Sequence, residues 1–135
     1  MKIIIKQVEK LTSQIKNYFS VNLYDMETCS PENKLYICYK SSNIIGSFFI
    51  NKKYQVVKEI FIVEHERNKG YCKIILDYLK KRFVNLYFDV YYNNIPANKC
   101  YSKYLSFDSY LPSNEFYLIY GYKPPVPIIR YKLCK

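Results

Sequence analysis

The stretch EIFIVEHERNKGYCKIILDYL, residues 59–79, decides the fold that this sequence predicts. It begins as the largely apolar run EIFIV, becomes polar at residues 64–67, and passes through a short Asn-Lys-Gly turn that ends at Gly70. Apolar side chains then recur at helical spacing: Ile74, Ile75, Tyr78 and Leu79. This order predicts a strand, a tight turn and a helix. The backbone N–H groups in the first turn of such a helix can bind a phosphate.

The whole chain has the length of a single domain, which we assign to residues 1–135. Hydrophobic residues make up 50% of it and aromatic residues 19%, a composition that favours a folded globule over a disordered chain. No apolar run reaches the roughly 18 residues that a membrane span requires. Because the first ten residues also lack the pattern of a secretory signal, we expect an intracellular, cytoplasmic protein without a membrane segment.

The five cysteines are widely spaced and odd in number, and none forms a C-x-x-C pair: Cys29, Cys38, Cys72, Cys100 and Cys134. This pattern favours reduced thiols over a disulfide framework or a zinc cluster. The lone His65 cannot build a metal site by itself, so we expect no metal. The net charge of +10 has two interpretations, a solvated lysine surface or a field that attracts an anionic ligand or partner.

Residue patterns on either side of the central stretch predict further elements. Before it we expect a strand at 2–5, an amphipathic helix at 7–19, a loop with a short helical piece at 23–33, and a hairpin of strands at 35–39 and 44–50. Gly46, inside the second strand of that hairpin, indicates a bulge or a close backbone approach.

The central strand covers residues 55–63 and continues the hairpin into an antiparallel meander, while the helix after it covers residues 69–82. Downstream we expect a strand at 86–92, a helix capped by Asn94 and opened by Pro96, and strands at 116–120 and 128–133. The result is an α+β fold. It has a mostly antiparallel central sheet of six or seven strands, three or four flanking helices, and a parallel right-handed crossover from the fourth strand through the third helix to the fifth strand.

The turn itself resembles the acetyl-coenzyme A motif of the GNAT superfamily of N-acetyltransferases, and this resemblance implies a GNAT-like domain. That motif has Arg or Gln, two residues, Gly, one residue, and Gly or Ala at a helix start. Here it reads Arg67-Asn68-Lys69-Gly70-Tyr71-Cys72. The departure at Cys72 is expected to crowd the pyrophosphate and weaken or displace the cofactor, since its side chain exceeds a methyl group.

A second segment resembles the later motif of the same family. Val90, Asn94, Ala97, Tyr101 and Ser106-Phe107 occupy its places, with Ser106 standing where the family has glycine. The resemblance extends over residues 35–107. Residues 116–122 also resemble the end of that motif, which leaves Tyr117 as a competing placement for Tyr101.

The resemblance implies direct attack of a primary amine on acetyl-coenzyme A within a ternary complex. The backbone N–H groups of Ile62 and Val63 would hold the pantetheine and thioester. The remaining implied cofactor-binding residues are Arg67, Asn68, Lys69, Gly70, Tyr71, Cys72, Lys73 and Asn94. Lys69 and Lys73 have an equally simple interpretation as solvated residues at a helix start.

Two residues are candidates for proton transfer. Tyr101 is the candidate general acid for the departing thiolate, although a tyrosine at this spacing also suits the buried face of a helix. Glu59 is the candidate base for the amine, and an ordered water is the alternative. His65 as a base and Cys72 as a nucleophile are weaker candidates. His65 falls in the loop that the family uses to bind phosphate, and no histidine lies at a recognisable spacing from Cys72 to activate it.

Two other functions remain open at this point. The departures at Cys72 and Ser106 suit a catalytically weak or inactive acyl-coenzyme A binder of the same fold. The basic, tyrosine-rich composition suits a nucleic-acid-binding module, which we disfavour because most tyrosines lie inside apolar runs. The expected partners are acetyl-coenzyme A and an amine acceptor, either a small molecule or a protein amine, and the chain is expected to be a monomer or a homodimer.

Overall fold

The computed structural model describes residues 2–21 and 32–133, with Val21 described through its backbone alone. The strands are β1 (Ile3–Gln7), β2 (Asn33–Lys40), β3 (Asn43–Asn51), β4 (Val56–Ile62), β5 (Leu86–Tyr91), β6 (Ser106–Leu111) and β7 (Ile128–Leu133). The helices are α1 (Ser13–Val21), α2 (Tyr71–Arg82), α3 (Ile95–Tyr104) and α4 (Ser113–Tyr120). Within these ranges no helix combines the length and apolar character needed to cross a bilayer.

All seven strands belong to one mixed sheet with the order β1-β2-β3-β4-β5-β7-β6. The pairs β1–β2, β2–β3, β3–β4, β5–β7 and β6–β7 are antiparallel, whereas β4 and β5 are parallel and joined through α2. The predicted α+β class, the meander and the parallel crossover are therefore confirmed. The last strand, β7, inserts between β5 and β6.

The hydrophobic core lies on both faces of the sheet, as two neighbouring residues of β3 demonstrate. Phe48 is fully buried on one face, where its ring stacks on Tyr36 of β2 with centroids 5.1 Å apart, next to Tyr78 of α2. Phe49 is buried on the other face, where its ring lies 6.4 Å from that of Phe19 in α1. Because successive strand residues alternate in direction, an apolar run such as IIGSFFI suits a strand covered on both sides.

A bulge in β4 divides the sheet at its centre. The register with β3 changes from Phe49 opposite Lys58 to Ser47 opposite Phe61, so β4 carries an extra residue between these pairs. Glu59 lies in this insertion and has a left-handed backbone with φ of 54°. The parallel pairing of β4 with β5 involves Val56 and Val57, before the bulge. Beyond the bulge β4 follows β3, and a gap opens between β4 and β5.

Gly46 lies opposite Ile62 where β3 follows β4 past the bulge. A Cβ at this position would come within 2.7 Å of the carbonyl oxygen of Phe61, closer than two such atoms can approach without displacement. The close backbone approach that the sequence predicts at Gly46 is therefore confirmed. The missing side chain of Gly46 lets β3 and β4 remain paired where β4 is no longer paired with β5.

The first helix is shorter than the predicted range 7–19, because α1 begins at Ser13. Val8 instead donates its backbone N–H to the carbonyl of Leu35, next to the end of β1. The hydroxyl of Thr12 accepts the N–H of Ile15 at 3.2 Å and marks the helix start. The helical spacing of apolar residues before Thr12 was therefore misleading. Residues 22–31, which contain most of the predicted loop at 23–33, lie outside the described ranges.

The C-terminal prediction was wrong in one element and missed another. Residues 116–120, predicted as a strand from their aromatic and β-branched composition, lie in helix α4. There Phe116 and Tyr120 stack one helical turn apart with ring centroids at 4.4 Å. Strand β6 went unrecognised because its outward side chains include exposed Phe107 and Tyr110, so no alternation of apolar and polar residues marks it.

Candidate active site

The gap between β4 and α3 forms a cavity of about 550 Å³. Its wall consists of residues 60–62 of β4, residues 66–68 and 70–72 of the turn and the start of α2, and residues 94, 96, 97, 100 and 101 at the start and inner face of α3. The two sequence segments singled out above, 67–72 and 94–101, thus line one cavity although they are more than 20 residues apart.

The turn before α2 and the first residues of that helix, Gly70, Tyr71 and Cys72, line this cavity. Gly70 precedes the helix with φ of 81°, a left-handed conformation that glycine adopts without steric cost, and among the described residues no side chain caps the helix there. The first turn of α2 carries no acidic residue. These features leave the positive end of the helix dipole available for an anionic group.

The two predicted lysines at this turn have carboxylate partners. Lys73 pairs with Asp77 one turn along α2 at 2.8 Å, and both side chains are about half exposed. Lys69 lies 3.3 Å from the carboxylate of Glu66. Each lysine adds positive charge near the turn, but each is also held by an ion pair with a neighbouring carboxylate.

The two predicted backbone donors are Ile62, the last residue of β4, and Val63, which follows it; the first faces the gap and the second already has a partner. The N–H of Val63 donates to the carbonyl of Ile45 in β3 at 2.9 Å. Because donors alternate in direction along an antiparallel strand, the N–H of Ile62 points to the opposite edge, where β5 has moved away. The carbonyl of Ile62 accepts the Nε of Arg67 at 2.8 Å, and the guanidinium of Arg67 lies over the ring of Phe61.

Glu66 connects the turn before α2 to a neighbouring hairpin through an ion pair. Its carboxylate is 6% exposed and accepts hydrogen bonds from the Nζ of Lys40 in the β2–β3 hairpin at 2.8 Å and from the Nζ of Lys69. The hydrogen bond from Lys40 is the main reason that the pKa of Glu66 lies below its ordinary value of 4.5. The ion pair therefore connects the turn before α2 to the hairpin between β2 and β3.

We expect Glu66→Gln to be less stable than the wild type at neutral pH. A carboxyl whose pKa is lowered on folding contributes stability above its unfolded pKa and loses that contribution as the pH falls through the folded value. The difference in melting temperature between the two proteins should therefore be largest above pH 4.5 and shrink below it. Thermal unfolding of both proteins from pH 7 to pH 3 measures this, and a difference that is constant over the range would contradict the ion pair's role.

Tyr101 lies on the inner face of α3 and lines the cavity. It is 8% exposed, and its ring packs between those of Phe88 at 5.4 Å and Tyr131 at 5.7 Å. Burial raises the pKa of its phenol well above the ordinary value, so the hydroxyl stays protonated at neutral pH. Tyr117, the competing placement, is 57% exposed on α4 and does not line the cavity.

Two asparagines fix the helix that carries Tyr101. The side chain of Asn94 accepts the N–H of Ala97 at 3.3 Å, as the predicted N-cap requires. The side-chain amide of Asn98 donates to the backbone carbonyls of Tyr91 and Asn94, and its Oδ1 accepts a hydrogen bond from the hydroxyl of Tyr131 at 2.8 Å. Asn98 was missed in the sequence, where nothing distinguishes it from other helix-surface asparagines.

Glu59 is exposed at the bulge and lies outside the cavity wall. Its charge contributes to the environment of Tyr122, whose hydroxyl shares a hydrogen bond of 2.8 Å with that of Tyr91. Burial first, then the contact with Tyr91, and finally the charge of Glu59 raise the pKa of Tyr122 to about 12. The predicted base therefore lies near Tyr122 and not in the cavity wall.

An ion pair between β5 and β7, which the sequence analysis did not predict, links these two strands. The side chain of Asp89 in β5 is completely buried, and its carboxylate accepts the Nε and a terminal nitrogen of Arg130 at 2.7 and 2.8 Å. The hydroxyl of Tyr120 donates to the same carboxylate at 2.7 Å. Asp89 of β5 lies directly opposite Arg130 of β7. In the sequence, each is a charged residue inside a largely apolar run, and this was the signal that could have identified the ion pair.

The expectation of reduced cysteines was wrong for one pair. Cys72 at the start of α2 and Cys100 in α3 form a disulfide, with their Cα atoms 6.6 Å apart. A separation of 28 residues conceals this proximity in the sequence. Cys38 remains a thiol that is 1% exposed, and burial raises its pKa to about 12. Cys29 and Cys134 lie outside the described residues.

His65 is exposed and lies away from the cavity, in a 3-10 turn at Glu64–Glu66. Together with Tyr18, Lys40 and Val63 it lines a separate polar cleft of about 540 Å³ on the α1 side of the sheet. The cleft and the cavity share Glu66. The structure thus places His65 in a different depression from Tyr101 and the turn at residues 67–70.

Comparison with known families agrees with this arrangement. The model of the acetyltransferase (GNAT) family matches residues 6–107, which is most of the chain. The protein therefore belongs to the GNAT family of acetyltransferases and is an acyltransferase by class. A search of curated proteins found no match.

Several solved structures have the same fold over nearly the whole chain. An acetyltransferase from Bacillus subtilis in complex with coenzyme A is 15% identical, with 99% of each chain covered and a TM-score of 0.69. A GNAT family acetyltransferase from Elizabethkingia anophelis with acetyl-coenzyme A bound is 16% identical, with 98% of each chain covered and a TM-score of 0.64. NAA60 from Arabidopsis thaliana, in complex with a bisubstrate analogue, is 15% identical, with 97% of each chain covered and a TM-score of 0.70.

Proposed function

We propose that the protein transfers an acetyl group from acetyl-coenzyme A to a primary amine. One observation carries this proposal: beyond the bulge at Glu59, β4 leaves β5 and opens a cavity that connects an uncapped helix N-terminus with a buried tyrosine. The helix start suits a pyrophosphate, the gap suits an extended pantetheine, and the tyrosine suits a leaving thiolate. Acetyl-coenzyme A contains all three groups in that order.

The phosphate turn and β4 would hold the two ends of the donor. The N–H groups of Gly70, Tyr71, Cys72 and Lys73 bind the pyrophosphate, with Lys69 and Lys73 adding charge. The N–H of Ile62 binds the pantetheine in place of a strand partner, whereas that of Val63 stays with Ile45. Arg67 positions the turn by bonding the Ile62 carbonyl, and Asn94 positions α3.

Tyr101 and Glu59 would move the two protons that the reaction requires. The neutral amine loses a proton as its nitrogen forms a bond to the thioester carbon, and Glu59 accepts that proton through water, because its carboxylate is exposed outside the cavity. As the C–S bond breaks, Tyr101 gives its phenolic proton to the departing sulfur. Its phenol carries that proton at neutral pH, since the ordinary pKa of tyrosine is already about 10 and burial raises the pKa further.

The test is to measure binding and turnover side by side. Acetyl-coenzyme A affinity is determined by calorimetry, and coenzyme A release is followed by chromatography with a panel of small amines, lysine peptides and peptides with free N-termini. We expect micromolar affinity and release that depends on at least one amine class. Binding without release for any amine would favour a cofactor-binding protein without turnover, and no binding would refute the proposed function.

A further inference from the structure

The disulfide between Cys72 and Cys100 forms part of the wall of the proposed donor cavity. Cys72 is the second residue of α2, and Cys100 lies on α3 directly before Tyr101. Both residues line the cavity, and the bond between them joins the two helices that enclose it. Breaking this bond therefore removes a covalent link between the two helices that line the cavity.

We propose that Cys72–Cys100 is a redox modification site that controls the affinity for acetyl-coenzyme A, with the oxidised protein binding more tightly. This inference rests on the proposed function, since it concerns the same cavity. It adds a chemical signal, the thiol–disulfide balance around the protein, to which that function would respond.

The preference for the oxidised form follows from where the Cys72 sulfur can go. In the disulfide that sulfur is bonded to Cys100 and is directed at α3. After reduction the Cys72 side chain can rotate about its Cα–Cβ bond and place its sulfur beside the N–H groups of Gly70 and Tyr71. A sulfur there takes up the space that a pyrophosphate needs to approach the backbone. Reduction thus exposes the steric conflict that the disulfide removes.

The pair is accessible to small thiols, in contrast to the buried thiol of Cys38. Cys72 and Cys100 are both partly exposed, whereas Cys38 is 1% exposed in the core. A small dithiol reduces the pair in two exchange steps: its two sulfurs lose their protons and join in a ring, and each cysteine sulfur gains one proton as their bond breaks. A small-molecule disulfide reverses the exchange and is itself reduced to two thiols. The balance needs no other reactant.

The experiment compares acetyl-coenzyme A affinity in the two redox states of the wild-type protein. Alkylation followed by peptide mass spectrometry first establishes that the oxidised sample contains the Cys72–Cys100 bond and that dithiothreitol breaks it. Calorimetric titration with acetyl-coenzyme A then gives the dissociation constant of each form. We expect the reduced form to bind about fivefold or more weakly, within the usual range of coupling between two sites.

Two single variants separate the sulfur of Cys72 from the loss of the bond. Cys100→Ala leaves a permanent thiol at Cys72 and should bind as weakly as the reduced wild type, with or without dithiothreitol. Cys72→Ala removes that sulfur as well as the bond, so it should bind acetyl-coenzyme A more tightly than Cys100→Ala in both conditions. Melting temperatures of both variants establish that they are folded under the conditions of the titration.

Each result has a defined meaning. Equal affinity of the oxidised and reduced wild type overturns the redox inference and leaves the proposed function intact. Binding by Cys72→Ala that is no tighter than binding by Cys100→Ala overturns the assignment of the effect to the Cys72 sulfur, and an oxidised sample without the bond overturns the site. Failure of both wild-type forms to bind acetyl-coenzyme A at millimolar concentration overturns the inference and the proposed function together.

Discussion

Replacing Tyr101 with phenylalanine is expected to lower the kcat of acetyl transfer by about 100-fold, with little change in the KM for acetyl-coenzyme A. The phenyl ring can keep the contacts with Phe88 and Tyr131, so the loss would come from the missing proton and not from packing. A steady-state assay of coenzyme A release at saturating amine measures the effect. Far-ultraviolet circular dichroism and the melting temperature establish that the fold is retained.

Tyr117→Phe is the matched control for this prediction. Tyr117 could occupy the same place in the family pattern, but it is 57% exposed on α4 and lies outside the cavity wall. Its kcat should therefore equal that of the wild type within experimental error. A large loss in Tyr117→Phe with none in Tyr101→Phe would contradict the assignment of the general acid and with it the location of the thioester.

Asp89→Asn is expected to have the largest effect on stability, a loss of about 3–5 kcal/mol in the free energy of unfolding. The substitution keeps the size of the side chain but removes the charge that Arg130 contacts through two nitrogens and that Tyr120 contacts through its hydroxyl. Arg130 would then be left as a largely buried cation without its counter-charge. Urea denaturation followed by fluorescence gives the difference.

Asp77→Asn provides the comparison for Asp89→Asn, because it breaks an ion pair of similar length on the surface of α2. Both partners of that pair, Lys73 and Asp77, are about half exposed, so water replaces the lost contact. We expect a change within about 0.5 kcal/mol. If Asp89→Asn were no more destabilising than Asp77→Asn, the network around Asp89 would not be the structural support that its burial indicates.

The elements that the sequence predicted well are those with one dominant local signal. The turn at residues 67–70 ends in a glycine that adopts a left-handed backbone, and α3 starts where Asn94 caps and Pro96 follows. In both places a side chain or its absence specifies the backbone without help from the rest of the chain. The meander was predicted correctly because three strongly apolar runs follow each other with short polar connections. The crossover was predicted correctly because one clear helical pattern lies between the third of these runs and the next.

The features that were missed depend on tertiary contacts. The helix α4 has a strand-like composition, and it packs through Phe116 and Tyr120 against Leu111 of β6 and Ile128 of β7. The disulfide requires Cys72 and Cys100 to meet across two helices, which no local pattern records. The bulge at Glu59 likewise becomes visible through the register with β3, although the glutamate itself was recognised as a candidate base.

The most direct test of the account is a map of acetyl-coenzyme A binding on the oxidised protein by amide chemical-shift perturbation. We predict that the largest shifts fall on the N–H groups of Ile62, of residues 67–73 and of Tyr101. Shifts confined to the cleft lined by Tyr18, Lys40 and His65, or the absence of shifts at saturating acetyl-coenzyme A, would contradict the claim that the cavity between β4 and α3 binds the acetyl donor.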